Sequence, residues 1–400
     1  MKALNKTLLT AAVAAMLSGA ALADGISDGK VKIGVMADMG GPFGDLCGRG
    51  CVTAVEMAVE DFGGSVAGAP IELVTADDQN KPDLGSAKAR EWIESENVDA
   101  ITGLVNSAVT GAVSQILTDN RKPALIATSA SNVFTTSQCS AFNAHWTYDV
   151  VALANGTVKP MVSAGKKKWF FITVDYALGH KLEETASDVV AANGGEVVGA
   201  VRAPLGTTDF SSYILQAQAS GADVVALANT GTDFVNATKT AAEFGLTDMI
   251  DLVGLLVFTP DIQALDPAVI GGMKLTTGFY WDYDDATRDW SKRFIERHGR
   301  IPSMGQAGAY SVTMNYLKAI EATDTDDGET VMRYLKTHKP DDFFARNAYL
   351  RADGRMVHDM YQVRVKKADE RRDGNDIFEI ENVIAGDQAF APMLAQCEFN

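Results

Sequence analysis

The chain has 400 residues, 46% of them hydrophobic and 22% charged, and a formal net charge of −17. Those proportions are ordinary for a globular protein, and the length exceeds what one hydrophobic core holds, so two domains are expected. The acidity argues against nucleic acid or an anionic membrane as partner, since both repel a strongly negative surface.

Residues 1–23 read as a signal peptide. Lys2 and Lys6 form a positive start, residues 8–17 are apolar, and Ala21-Leu22-Ala23 is a small-residue cleavage site. The mature chain should begin near Asp24 and be exported. The apolar stretch is too short for a membrane span, and no later segment is long and apolar enough for one.

From Lys30 onward an apolar strand, a turn of small residues and an amphipathic helix recur. Strands are expected at 31–35, 71–75, 100–104 and 124–127. Helices are expected at 53–62, 82–95 and 107–120, the last with Ser107 as N-cap. The cycle restarts near Lys166, with strands at 169–174, 197–202, 223–227 and 251–254 and helices at 181–193 and 210–220. Such alternation implies parallel sheets with right-handed crossovers, in two α/β units that share a pattern but no repeated sequence. Beyond Pro260 the reading gives a strand at 276–280, helices at 286–298, 307–322 and 329–336, and strands at 360–366 and 378–385.

The four cysteines are Cys47, Cys51, Cys139 and Cys397. An even count in an exported chain points to disulfides, with three pairings open. If Cys47 joins Cys51, then Cys139 joins Cys397 and staples the C-terminus to mid-chain. No histidine sits at ligand spacing beside them, so zinc is not expected.

Catalytic signatures are lacking. His145, His180, His298, His338 and His358 are scattered, and neither a G-x-S-x-G elbow nor a phosphate loop occurs. Gly40-Gly41-Pro42-Phe43-Gly44 follows the first strand but lacks dinucleotide spacing, and Pro42 removes a backbone donor. The reading is therefore no enzyme, no catalytic residue, no metal and no cofactor. Binding fits better. Asn106 and Ser107 open a helix, where hydroxyl and N–H groups converge on an anion. The stretch Ala127-Thr-Ser-Ala-Ser-Asn132 puts Ser129, Ala130 and Ser131 after a buried strand.

Residues 30–64, 100–132 and 169–180 together resemble the periplasmic leucine/isoleucine/valine-binding protein family of ABC transporters. The stretches His145–Asp149, Trp169–Tyr176 and Asp209–Ser212 resemble a branch that takes branched-chain amino acids, or aromatic and other organic acids. The resemblance implies the α/β type I periplasmic-binding fold: two doubly wound parallel-sheet lobes joined by three crossover strands near 145–148, 279–282 and 347–351. Lobe I would comprise 24–145 plus 281–348, and lobe II 146–280 plus 349–400. It implies Ser107 as carboxylate ligand, Ser129 and Ser131 as contacts to carboxylate and ammonium, and Tyr176, Asn229 and Thr230 facing them from the second lobe.

One departure stands out. The family's amino-acid binders carry an acid after the strand matching 251–254, whereas this chain reads Leu255-Leu256-Val257-Phe258 with no acid until Asp261. A buried ammonium without a partner costs several kcal/mol, although Asp233 or Asp282 would be alternative sources of charge. Phe43, Tyr148, Phe258, Tyr280 and Trp281 are candidate pocket linings. The expected ligand is thus a small carboxylate, a branched-chain amino acid or an aromatic or hydrophobic acid. The expected partners are ABC permease subunits, for a periplasmic monomer. The runner-up reading is a sensor subunit presenting ligand to a membrane receptor.

Overall fold

The computed structural model describes residues 25–399; the leader read at 1–23 lies outside them. The first sheet contains β1 (Val31–Ala37), β2 (Ser65–Val66), β3 (Ala69–Asp77), β4 (Ala100–Gly103), β5 (Ala124–Ile126) and β6 (Asn143–His145), in the order β2-β3-β1-β4-β5-β6. Every pairing is parallel except the short β2–β3 hairpin. Helices α1 (Gly48–Phe62), α2 (Pro82–Ser95) and α3 (Ser107–Asp119) are its crossovers. The central strand β1 is buried at all seven positions, so it reads as an unbroken apolar run.

The chain then passes through α4 (Val150–Ser163) into a second sheet. Its elements are β7 (Lys168–Val174), α5 (Ala177–Ala192), β8 (Glu196–Ala203), α6 (Ser211–Ala219), β9 (Val224–Ala228), α7 (Gly231–Glu243), β10 (Asp251–Gly254), α8 (Thr259–Gln263), α9 (Pro267–Ile270) and β11 (Lys274–Thr277). Helices α10 (Asp285–His298), α11 (Met304–Thr323) and α12 (Gly328–Thr337) return to the first lobe, where α10 and α11 pack on α1 and α12 packs on α11. The small hairpin of β12 (Tyr349–Leu350) and β13 (Met356–Val357) follows. The chain ends on β14 (Met360–Val365), β15 (Phe378–Ile384) and α13 (Gly386–Ala389). The second sheet has the order β15-β14-β11-β10-β9-β7-β8. The two-lobe, type I periplasmic-binding architecture is as expected, with one difference: β14 runs antiparallel to both β11 and β15, so this sheet is mixed at one edge.

One buried cluster runs through both lobes. It takes in Val31, Ile33 and Val35 of β1, Trp146 and Tyr148 at the junction, and Trp169 and Phe171 of β7. Separate clusters fill the outer faces, around Trp92 and Val113 in the first lobe and around Phe210 and Phe234 in the second. Helix α11 approaches the first sheet closely because of two glycines. A Cβ at Gly305 would collide with Thr128 Cγ2, and one at Gly308 would collide with Thr147 Cγ2. Both cysteine pairs are joined, Cys47 to Cys51 and Cys139 to Cys397.

Helix α4 was not expected from the sequence. It is buried along most of its length and contains Pro160, so it offers neither an amphipathic stripe nor an uninterrupted run of helix formers. Its start is explicit once seen: Asp149 Oδ1 accepts the N–H of Ala152 at 2.8 Å.

Candidate functional site

In each sheet the chain reverses direction of travel after one strand, between β1 and β4 in the first and between β7 and β9 in the second. The carboxyl ends of strands at such switch points leave a crevice. The two crevices face each other. Together they enclose a cavity of about 210 Å³. Lobe I contributes Phe43 and Leu46 after β1, Val105 to Ala108 after β4, and Thr128 and Ala130 after β5; Tyr148 comes from the junction after β6; lobe II contributes Tyr176 to Leu178, Thr230, Leu256 and Phe258.

Eight expected site residues therefore meet in one wall: Phe43, Asn106, Ser107, Ala130, Tyr148, Tyr176, Thr230 and Phe258. Five do not line it. Tyr280 is buried with its hydroxyl 3.4 Å from Asp376 Oδ1. Ser129 lies fully buried behind the wall, its hydroxyl 3.0 Å from that of Ser107. Ser131 caps the short helical turn at Asn132–Thr135 by accepting the N–H of Val133 at 3.4 Å. Asn229 is buried beneath Thr230, and neither polar atom of its amide has a partner among the described residues. Trp281 stands at the junction of the lobes with its indole N–H committed to the Asn375 carbonyl at 2.8 Å.

The helix opening at Ser107 also differs from expectation. The N-cap is Asn106, whose Oδ1 accepts from Ala108 N at 2.9 Å and Val109 N at 3.2 Å. Capping by Asn106 releases Ser107, the first helical residue. Its hydroxyl sits at the positive end of α3, where Ser129 Oγ is its one partner among the described residues.

Two supports hold the wall. Tyr148 donates its hydroxyl to the Thr128 carbonyl at 2.5 Å, and its own carbonyl accepts from Arg355 Nη1 at 3.2 Å. On either side, His145 Nε2 meets the Ser129 carbonyl at 2.7 Å and His358 Nε2 meets that of Thr147 at 2.5 Å. Burial lowers the proton affinity of both histidines, His358 to about 4, which marks them as neutral structural groups. The loop bearing Phe43 hangs on Asp38, which accepts from Gly41 N at 2.7 Å, Phe43 N at 3.0 Å and Asn80 Nδ2 at 2.5 Å. Its far end is fastened by Ser303 Oγ to the Leu46 carbonyl at 3.0 Å and by Gln306 Nε2 to that of Asp45 at 3.2 Å.

The wall is mainly apolar. Phe258 packs against Tyr148 with ring centroids 5.3 Å apart. Burial, with Asp233 nearby, pushes the Tyr176 phenol up to about 12, so it stays protonated and able to donate. Leu256 is buried in the wall, two residues beyond the end of β10. The alternative sources of charge are otherwise engaged. Asp282 pairs with Arg288 at 2.9 Å and with Arg372, and both oxygens of Asp233 accept from Gly206 N at 3.1 Å. Among the described residues no group of three or more His, Cys, Asp or Glu is arranged to hold a metal.

A pocket closed by strand ends of two switch-point sheets is the geometry of a solute-binding cleft, and the family model for "Periplasmic binding protein" matches residues 30–371. The chain belongs to this periplasmic binding protein family. A periplasmic binding protein from Burkholderia mallei is 44% identical, covers 91% of this chain and 97% of its own, and superposes with a TM-score of 0.87. A branched chain amino acid ABC transporter periplasmic ligand-binding protein from Burkholderia xenovorans is 37% identical, with the same coverage of 91% and 97% and a TM-score of 0.85. An R. palustris solute-binding protein of an ABC transporter, in complex with 4-hydroxybenzoate, shares the fold at 24% identity and a TM-score of 0.79, covering 89% of this chain and 97% of its own. The kinship to the leucine/isoleucine/valine-binding proteins implied by the motifs is thus borne out. The family consists of substrate-binding proteins of transporters, not enzymes, and it is periplasmic.

Sequence reasoning missed Leu46, Val105, Ala108, Thr128 and Leu178 in the wall, together with Asp38 behind it. All follow strand ends. Their positions were legible, but nothing in their chemistry distinguished them from core residues.

Proposed function

We propose that this periplasmic binding protein captures a small hydrophobic or aromatic carboxylate between its lobes and delivers it to ABC permease subunits. The lobes would be residues 24–145 with 281–348 and residues 146–280 with 349–400, and the protein would act as a monomer exported by its leader. The observation that carries the reading is the wall itself: Ser107 at the start of α3 faces Phe43, Tyr148 and Phe258, while Leu256 supplies no charge for an α-ammonium. A helix start whose hydroxyl is spared from capping suits a carboxylate, and aromatic walls suit an apolar body. Both lobes contribute, so ligand contacts would favour the closed state.

A thermal-shift screen of benzoate, hydroxycinnamate, leucine and valine tests this. A true ligand at about 100 times its Kd adds roughly 2.7 kcal/mol. If leucine and valine raise the melting temperature and the aromatic acids do not, the aromatic preference is wrong.

A further inference from the structure

A second chamber of about 250 Å³ opens beside the first. Phe43, Leu46, Thr230 and Phe258 line both, so the two chambers share this part of their walls. The second chamber also has Asp261 in its wall. One carboxyl oxygen of Asp261 accepts the N–H of Phe258 at 2.9 Å, and the Gly231 backbone nearby favours its charged form. Among the described residues, neither chamber is lined by Lys, Arg or His. The other acid there, Asp45, is largely exposed and paired with Arg300 at 3.1 Å. Asp261 therefore has no cationic partner among the described residues, and burial pushes its carboxyl up to about 7 despite the backbone at Phe258 and Gly231. An acceptor held this way gains from any donor that a ligand brings into the chamber.

We propose that Asp261 reads the end of the ligand remote from its carboxylate, accepting a hydrogen bond from a distal donor, either a phenolic hydroxyl or an ammonium. This rests on the carboxylate-binding reading above. The preferred solutes are then carboxylates that span from Ser107, past Phe43 and Phe258, to Asp261. The competing account is purely structural: Asp261 caps the short helix α8 beside Gly231.

Calorimetry on the full mature chain separates the two, with benzoate, 4-hydroxybenzoate and 4-(aminomethyl)benzoate as probes. One donor-bearing acid should bind wild type about tenfold or more tightly than benzoate, as a hydrogen bond to a charged group allows, and the acid that does so identifies the donor. Asp261→Leu should abolish that advantage and leave benzoate within about threefold. Asp261→Asn keeps an acceptor for Phe258 N, so it guards against a folding defect; it should reduce the same advantage at an unchanged melting temperature. Equal weakening of all three acids in both variants, or no preference in wild type, overturns the role of Asp261. Ser107→Ala checks the underlying reading by itself: it should weaken all three acids, and no effect sinks the carboxylate site whatever Asp261 does. Absence of binding by every probe overturns both.

Discussion

Ser107→Ala is the sharpest test of the site, because the structure separates its binding role from its structural one. Among the described residues the hydroxyl has one partner, Ser129 Oγ at 3.0 Å, while the cap of α3 is made entirely by Asn106. Removing it costs the fold about 1–3 kcal/mol, because the buried Ser129 hydroxyl loses its partner. A hydrogen bond to a charged carboxylate is worth about 1.5–3 kcal/mol, so the Kd should rise about 10- to 150-fold. Asn106→Ala is the complementary control. It removes two capping bonds and should lower stability by about 1 kcal/mol, with a smaller effect on affinity. Titration calorimetry with whichever acid binds wild type, beside urea unfolding of both variants, measures all four quantities. An affinity within about twofold of wild type in Ser107→Ala would show that the carboxylate lies elsewhere.

Three other outcomes follow from the same geometry. Arg355 is fully buried, 3.6 Å from Asp149, with its guanidinium 4.5 Å from the Phe390 ring; Arg355→Met should cost about 3–5 kcal/mol by stranding that carboxylate. Adding Asp149→Asn should recover much of the loss in urea unfolding, and a cost below about 1 kcal/mol would contradict the pairing. Burial, with Asp38 and Asp77 nearby, raises the Asp78 carboxyl from 3.8 to about 6, and its Oδ2 has no partner among the described residues. The neutral form is favoured in the fold, so this group's contribution is complete below pH 3.8 and is lost as pH rises through about 6. Asp78→Asn should therefore gain in melting temperature relative to wild type between about pH 4 and pH 8, and a pH-independent difference would refute the assignment. Leu256→Glu should shift preference toward leucine and against benzoate, since a like charge in the wall costs an acid several kcal/mol; competition binding reads the ratio, and an unchanged ratio would remove Leu256 from the specificity wall.

Much of the architecture could be read from the sequence because its strands are short apolar runs closed by Gly, Ser, Thr and Asn. Parallel strands buried on both faces, such as β1, leave that mark unmistakably. Helix α4 left none, since a helix buried all round has no polar face to set its period. The antiparallel edge at β14 was equally silent, because direction is set by how the chain returns from the first lobe and not by the strand's own residues. Among site residues, position after a strand did not by itself decide which reached the cavity: Tyr176 after β7 did, and Asn229 directly after β9 did not. Ser131 did not, because its own helical turn claimed the hydroxyl, and Trp281 did not, because the Asn375 carbonyl claimed the indole.

The acid at 261 shows how counting along the chain misleads. It stands seven residues beyond the end of β10 at Gly254, past the four residues Leu255–Phe258 that carry no acid. The intervening chain does not lead away from the cleft. Phe258 is the N-cap of α8, and the first turn of that helix brings Asp261 back until its carboxyl bonds the Phe258 N–H. Gly231, at the start of α7, lines the same chamber, so the carboxyl lies between two helix starts and beside Phe43 of the opposite lobe. Leu255 and Leu256 thus do not leave the cleft without an acid. The acid lies in the second chamber instead, on the far side of Phe258 from Ser107, and on the proposed carboxylate reading it would meet the end of a ligand remote from that carboxylate.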